Sequence, residues 1–289
     1  MDTILVPTDF SETAKLALEV AVQLTKKHNS KLILLHMLEI PEHLLPEADK
    51  TNDVTSAQTT HQHDLPAALF YMKLAQKRFG EIAELPFMQG IRYEETVQNH
   101  LDFKAIIDSA HKNKADLIIM GSHGATGFKE MFVGSNTEKV VRTSDIPVLV
   151  IKAKSENFTI KNFVFATNWE EESKQSLIDA YNLAKKLGAK MNILYVNTPG
   201  STFLTTAAID TKFEALLKEN MIAPETVTTS IYSDKSIEEG ILNFSKKINA
   251  DLIGVTTHGR RGIAHFFNNS ISEDIANHAN IPVVTFKIE

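Results

Sequence analysis

The chain has 289 residues, 43% apolar and 23% charged, enough for one large domain or two ordinary ones, and no apolar run approaches the ~18 residues that cross a bilayer. The absence of cysteine excludes disulfides, thiol catalysis, iron–sulfur clusters and cysteine-type zinc sites together. The net charge of −6 divides evenly: cut after Lys154, the halves hold 17 basic against 20 acidic and 13 against 16, or −3 each, so neither attracts nucleic acid by charge. The opening Met1-Asp2-Thr3-Ile4-Leu5-Val6 has no basic stretch ahead of a long apolar one, so a cytoplasmic protein is expected, with neither a membrane nor a nucleic acid as partner.

In chain order, short β-branched runs alternate with longer helical periods. Residues 4–6, 31–38, 87–97, 116–120 and 148–151 read as strands. Ala14, Ala17, Val20, Ala21 and Leu24 form one apolar helical face, and 69–82 and 103–110 repeat that spacing. Residues 151–160 read as a short polar linker. Beyond it the same order returns, with strands at 163–166, 190–196, 227–232, 251–255 and 283–286 and helices between them. Strand-helix alternation predicts parallel sheets covered by helices on both faces.

The return is an internal repeat. Ala115-Asp116-Leu117-Ile118 recurs as Ala250-Asp251-Leu252-Ile253, His123-Gly124 as His258-Gly259, Ser135 as Ser270 and Ile146-Pro147-Val148 as Ile281-Pro282-Val283, all 135 residues on. Nearer the start of each half, Thr8 matches Thr167, Lys31 matches Lys190 and Leu35 matches Leu194 at 159, so the first half carries 159 − 135 = 24 extra residues. They fall between Met37 and Asp102, and the polar stretch 42–64 is their expected place, read as a loop and a candidate lid or partner surface. The expected architecture is α/β: two tandem doubly wound domains, 1–152 and 153–289, each an open five-stranded parallel sheet flanked by helices.

Sheets of this kind take ligands outside the carboxyl ends of their strands, where the strand order reverses. After the first strand comes Pro7-Thr8-Asp9-Phe10-Ser11; after the fourth comes Gly121-Ser122-His123-Gly124, leading to Gly134-Ser135-Asn136-Thr137 and a helix. Glycines permit close backbone approach, and a helix opening at Ser135 offers free N–H groups to an anion. Asp9 suits ribose hydroxyls or a base amino group. The competing reading is that the glycines shape a loop and Asp9 caps the first helix. There is no GxxxxGK[ST], no GxGxxG after the first strand, no GxSxG and no HExxH, so no catalytic centre is identified. His61, His63 and Asp64, with His43, carry ligand types at a spacing too weak to assign a metal, and His123 and His258 read as loop-holding residues.

Gly121-x2-Gly124-x9-Gly134-Ser135, with Pro7-Thr8-Asp9 after an opening strand and a terminal Ile-Pro-Val strand, resembles the ATP-binding pattern of the universal stress protein family. The resemblance covers both halves. It implies the strand order 3-2-1-4-5, with Pro7, Thr8 and Asp9 by the adenosine, Met37 and Met120 along the base, and Gly121, Gly124, Gly134, Ser135, Asn136 and Thr137 on ribose and phosphates. ATP with Mg²⁺ or Mn²⁺ is the implied cofactor, and an ATP-binding stress-response regulator acting on a protein partner the implied function. In the second half Asp9 becomes Asn168, Ser11 becomes Glu170, Gly121 becomes Thr256 and Gly134 becomes Asn269, while Gly124 and Ser135 persist as Gly259 and Ser270. That half is expected to bind nucleotide poorly or not at all, although Arg260 and Arg261 offer a different anion site. The alternative function is a nucleotide-independent adaptor whose second half serves as a dimerisation scaffold or holds another small molecule. The resemblance further implies that strands 148–151 and 283–286 meet edge to edge within one chain, as two subunits of a homodimer would. Turnover beyond slow hydrolysis is not expected, since no general base or arginine finger stands in the motif.

Overall fold

A computed structural model describes residues 1–38, 65–99, 103–122, 135–155, 157–167, 169, 174–200, 203–257 and 281–288. The first half runs β1 (Thr3–Thr8), α1 (Glu12–His28), β2 (Lys31–Leu38), α2 (Leu65–Ala83), β3 (Tyr93–Asn99), α3 (Lys104–Lys112), β4 (Leu117–Gly121), α4 (Ser135–Thr143) and β5 (Val148–Ile151). The second runs β6 (Asn162–Ala166), α5 (Lys174–Leu187), β7 (Lys190–Asn197), α6 (Thr206–Glu219), β8 (Val227–Ser233), α7 (Ile237–Lys247), β9 (Leu252–Thr257) and β10 (Val283–Lys287).

The sheet order is β3-β2-β1-β4-β5-β10-β9-β6-β7-β8, so each half has the expected 3-2-1-4-5 order. The two are not separate sheets. β10 pairs antiparallel with β5, Val283 opposite Val150 and Thr285 opposite Val148, and every other ladder is parallel. The expected meeting of the last strands is present, and it fuses the halves into one sheet of ten strands. Each covers an edge the other would leave open.

Burial on both faces explains the apolar runs: β1, β4 and β5 are buried throughout. Alternation sends Ile4, Leu117, Ile119, Leu149 and Ile151 to the α1 side, while Leu5, Ile118, Met120, Val148 and Val150 pack with Val140 and Val141 of α4. The α1-side core continues into the second half through Phe163, Phe165 and Phe286.

The repeated Ala-Asp-Leu-Ile segment has a structural cause. Asp116 Oδ2 accepts the backbone N–H groups of Asp2 (2.6 Å) and Thr3 (3.0 Å), and Asp251 Oδ2 accepts those of Lys161 (2.8 Å) and Asn162 (2.9 Å). Each carboxylate fastens the start of a central strand to the start of its neighbour. Burial alone would push the Asp116 carboxyl up, but these N–H groups and the Lys186 ammonium, 3.2 Å from Oδ1, hold it below the ordinary range. Lys186 lies on α5, so this ion pair joins the halves.

Three local expectations need correction. The third strand begins at Tyr93 rather than residue 87, because Pro86 opens a short 3₁₀ turn over Pro86–Met88 and Met88 is buried there. The linker is anchored: Phe158 and Ile160 are buried, Gln23 donates to the Ser155 carbonyl (3.0 Å), and the Phe158 N–H donates to Gln23 Oε1 (2.6 Å). Asp9 does not cap α1; Ser11 does, its Oγ accepting the Ala14 N–H at 3.2 Å. The 42–64 stretch lies outside the described residues, between β2 and α2.

Candidate functional site

β1 and β4 pair only as Ile4 with Leu117 and Leu5 with Ile118, yet β1 continues to Thr8 and β4 to Gly121. The strands part over their last residues, opening a crevice at the point where the strand order reverses. The chain then turns sharply: Phe10 has φ +64°, a genuine outlier for a bulky residue. Two short bonds hold the turn, the Phe10 N–H donating to Thr8 Oγ1 and the Ser11 N–H to Asp9 Oδ1, both 3.0 Å. His36 Nδ1 donates to the Thr8 carbonyl at 2.9 Å, tying β2 to the same corner. The exposed Asp9 carboxylate is thereby set beside the N-terminus of α1.

On the other wall, Thr137 Oγ1 donates to the Gly121 carbonyl at 3.0 Å, bringing the first turn of α4 against the end of β4. Gly121 has an ordinary negative φ, and what uses its missing side chain is the protein: a Cβ there would lie 2.6 Å from the Thr13 carbonyl oxygen of α1. The N-termini of α1 and α4 therefore flank the crevice, each with the positive end of a dipole. Asn136 is exposed at the mouth and Thr137 buried. Pro7 and Thr8 are buried in β1, Met120 is a core residue and Met37 is partly buried against the same cluster. Gly124, Gly134 and His123 lie outside the described residues, as do His43, His61 and His63, and only the backbone of Ser135 is described.

Beside this wall stands Lys152, directly after β5. It is partly buried, and burial pulls its ammonium down to about 8. The sequence motif did not contain it. Among the described residues no group of three carboxylates and histidines forms a metal site, and no helix is long and apolar enough to cross a membrane.

A second arrangement escaped the sequence comparison. Phe10 packs on His36 (4.5 Å between centroids) and Phe79 (5.3 Å), with the Arg78 guanidinium 5.6 Å from its ring. In the second half Trp169, φ +67°, packs on Tyr195 (4.8 Å) and Phe213 (4.7 Å), with the Lys212 ammonium 5.9 Å away. Phe10 and His36 map onto Trp169 and Tyr195 at 159, while Arg78 and Phe79 map onto Lys212 and Phe213 at 134. The insertion lies between them, so no single offset could reveal the box. The same residue after β1 or β6 takes the same strained turn and fills the same pocket.

At the equivalent crevice of the second half, Asn168, Gly259, Arg260, Arg261, Asn269 and Ser270 lie outside the described residues. Its base side is closely packed. α7 presses on β7 at Gly240, where a Cβ would overlap the Val196 side chain, and Val196 stands where the first half has Met37. A cleft of about 510 Å³ opens farther out, between the ends of β7 and β8, lined by Asn197, Pro199, Phe203, Ser233, Asp234 and Lys235.

The fold and the crevice define a duplicated doubly wound α/β protein whose halves share one sheet. The profile of the universal stress protein family matches residues 1–152 and again 159–287, and the chain belongs to that family as a tandem, two-domain member. It is 32% identical over 161 residues to universal stress protein MJ0577 of Methanocaldococcus jannaschii, an alignment covering 53% of this chain and 95% of that one. It is 27% identical over 162 residues to universal stress protein YxiE of Bacillus subtilis, covering 51% and 97%. A solved universal stress protein from Archaeoglobus fulgidus has the same fold along the whole length: TM-score 0.65, 22% identity, 99% of this chain and 96% of that one.

Proposed function

We propose that the first half is an ATP-binding module whose occupancy regulates contact with a protein partner in a stress response, and that the second half is its structural companion. The observation that carries this is the crevice between β1 and β4, with Asp9 at the turn into α1 after one strand and the first turn of α4 against the end of the other. Asp9 supplies an acceptor for ribose hydroxyls, with Pro7 and Thr8 beside it. Helix N–H groups, Ser135, Asn136, Thr137 and the glycines Gly124 and Gly134 supply donors and room for phosphates carrying Mg²⁺ or Mn²⁺, while Gly121 lets α1 close on the end of β4 beside them. Met37 stands at the base side; Met120, buried in the core, contributes wall rather than contact. The domain division at 152, with the complete motif before it and the degenerate one after it, belongs to this reading. The place of action is the cytoplasm. The reading is binding and signalling, with at most slow hydrolysis of the nucleotide.

Calorimetric titration of nucleotide-stripped protein with ATP and Mg²⁺ tests it. One site per chain is expected, lost in Gly134→Val, weakened in Asp9→Ala and unchanged in Asn269→Val. No binding to the unsubstituted protein would overturn it.

A second reading is a nucleotide-independent adaptor, favoured by the β5–β10 ladder, which makes the second half a built-in partner for the first. Under that reading Gly134→Val loses ATP while capturing the partner as before.

A further inference from the structure

The cleft between the ends of β7 and β8 opens where the two halves differ in helix length. At the offset of 134 the start of α6, Thr206, corresponds to Met72, whereas α2 begins at Leu65, so α2 has 72 − 65 = 7 residues at its start that α6 lacks. In the first half Leu38, the last residue of β2, is buried against Ala75, with Tyr71, Met72 and Val97 around it. The second half has Asn197 at the position of Leu38 and Thr205 and Thr206 at those of Tyr71 and Met72, so short polar residues replace the apolar cover. Asn197 is buried and uses its whole amide locally: Nδ2 donates to the Leu204 carbonyl (2.9 Å), and Oδ1 accepts the Leu204 N–H (3.1 Å). That pair of bonds pins the chain on its way into α6. Phe203, one residue earlier, lines the cleft with 58% of its surface exposed.

The volume, about 510 Å³, is that of a small-molecule site, and sheets of this type accept ligands outside the carboxyl ends of their strands. Phe203 and Pro199 supply apolar surface, Ser233 a hydroxyl and Asp234 a carboxylate. Asp234 is partly buried and fixed in place: Oδ1 accepts the Lys235 N–H and Oδ2 accepts Asn243 Nδ2, both at 2.8 Å. These donors are neutral, and among the described residues no cation pairs with the carboxylate. The Lys235 ammonium is 3.3 Å from Glu239 Oε2, so its charge is already answered. The start of α7 likewise answers its own dipole, with Ser236 capping the Glu239 N–H and Glu238 and Glu239 in the first turn. The charge left over at the cleft is negative.

We propose that this cleft binds a small organic cation with a flat aromatic body, its ring against Phe203 and its amine or amidine group at the Asp234 carboxylate. A fixed carboxylate with lone pairs to spare accepts charge-assisted hydrogen bonds, and an aromatic face attracts a cation. The site is separate from the crevice between β1 and β4 and does not depend on the ATP reading. It gives the second half a ligand of its own.

The test is a ligand-observed NMR titration of the full chain with benzamidine, benzoate and benzyl alcohol, which share a ring and differ in the charge of the group it carries. The variants are Asp234→Asn, Phe203→Ala and, in the first half, Asp9→Asn. Thermal unfolding checks that each is folded; Phe203, largely exposed, can be shortened without opening the core. Benzamidine is expected to bind ~10-fold more tightly than either of the other two, to lose ~10-fold in Asp234→Asn and ~3-fold in Phe203→Ala, and to be unaffected by Asp9→Asn. The proposal is overturned if benzamidine does not bind, if benzoate or benzyl alcohol binds as tightly, or if Asp234→Asn leaves its affinity unchanged. A loss in Asp9→Asn in place of Asp234→Asn assigns the ligand to the crevice of the first half and overturns it too.

Discussion

The two halves share a strand order and a repeated set of strand-fastening residues, yet they fill their centres differently. Where the first half has Ile4, Val6 and Ile119, offsets of 159 and 135 place Phe163, Phe165 and Gly254 in the second. A Cβ on Gly254 would lie 2.7 Å from the Phe163 ring, so the two large rings require the missing side chain. At the crevice the exchange runs the other way. Gly121 lets α1 rest on β4, and the second half has Thr256 there, with α5 first described at Lys174. One half spends its glycine on bringing a helix N-terminus to the site; the other uses one to hold aromatic bulk inside the sheet. Duplicated folds drift in this way because a core accepts any set of residues that conserves volume, whereas a crevice depends on particular backbone approaches.

The largest effect expected from exchanging these solutions is at Gly121. Gly121→Thr, copying the second half, meets Thr13 backbone that cannot rotate away, so urea unfolding should show a loss of ~3 kcal/mol, the upper end for overpacking. The reverse change, Thr256→Gly, should cost ~0.5 to 1 kcal/mol from chain entropy alone. Equal losses would break the comparison.

Next comes Gly254→Ile, expected to cost ~1 to 3 kcal/mol and to be largely relieved when Phe163→Ile and Phe165→Val are added. If the triple variant is no more stable than the single one, volume exchange is not what separates the two centres.

The strand-fastening carboxylates sharpen the comparison further. Asp116→Ala and Asp251→Ala should each lose ~1 to 3 kcal/mol at neutral pH, with Asp116 the more costly because Lys186 is also left without this partner. The Asp116 carboxyl is held below its ordinary value of 3.8, so its contribution is complete above that pH and fades as pH falls through the folded-state value. The stability gap between the parent and Asp116→Ala should therefore shrink in acid. A gap that widens would contradict the assigned cause.

The smallest effect concerns His28, which stands where the second half has Leu187. Burial first, then Lys27, the chain's amino terminus and Lys186, pull its imidazole below the ordinary 6.5, and its buried Nε2 has no hydrogen-bond partner. The folded protein thus resists a proton that the unfolded chain accepts. Its stability should be indifferent to this group above pH 6.5 and decline as pH falls below it. His28→Leu should leave the melting temperature nearly unchanged at pH 7.5 and raise it relative to the parent at pH 5.5; no difference at the lower pH would discard the role.

Much of this arrangement was legible in the residues. The family resemblance implied the strands that meet, and the two offsets located the halves and the missing length of the second. They worked because Asp116 and Asp251, Lys31 and Lys190, and the Ile-Pro-Val strands do the same backbone work twice: Lys31 N–H donates to the Asp2 carbonyl and Lys190 N–H to the Lys161 carbonyl, both at 2.7 Å. The site was legible only as a motif. Gly121 was read as room for a ligand, and packing shows that α1 occupies that room. Phe10 and Trp169 gave no signal, since a bulky residue at positive φ is not what turn chemistry anticipates.

The sequence by itself determined the alternation of strand and helix, the duplication, the 3-2-1-4-5 order implied by the family pattern and the asymmetry between a complete and a degraded glycine set. These are local or periodic properties, written in residue type and spacing. Only the tertiary structure decided that α1 rests on Gly121, that an aromatic box is built twice and that Lys152 is partly buried after β5 while Lys287 is exposed. Each of these depends on contacts between segments far apart in the chain, where the available space, and not the propensity of any one segment, selects the outcome.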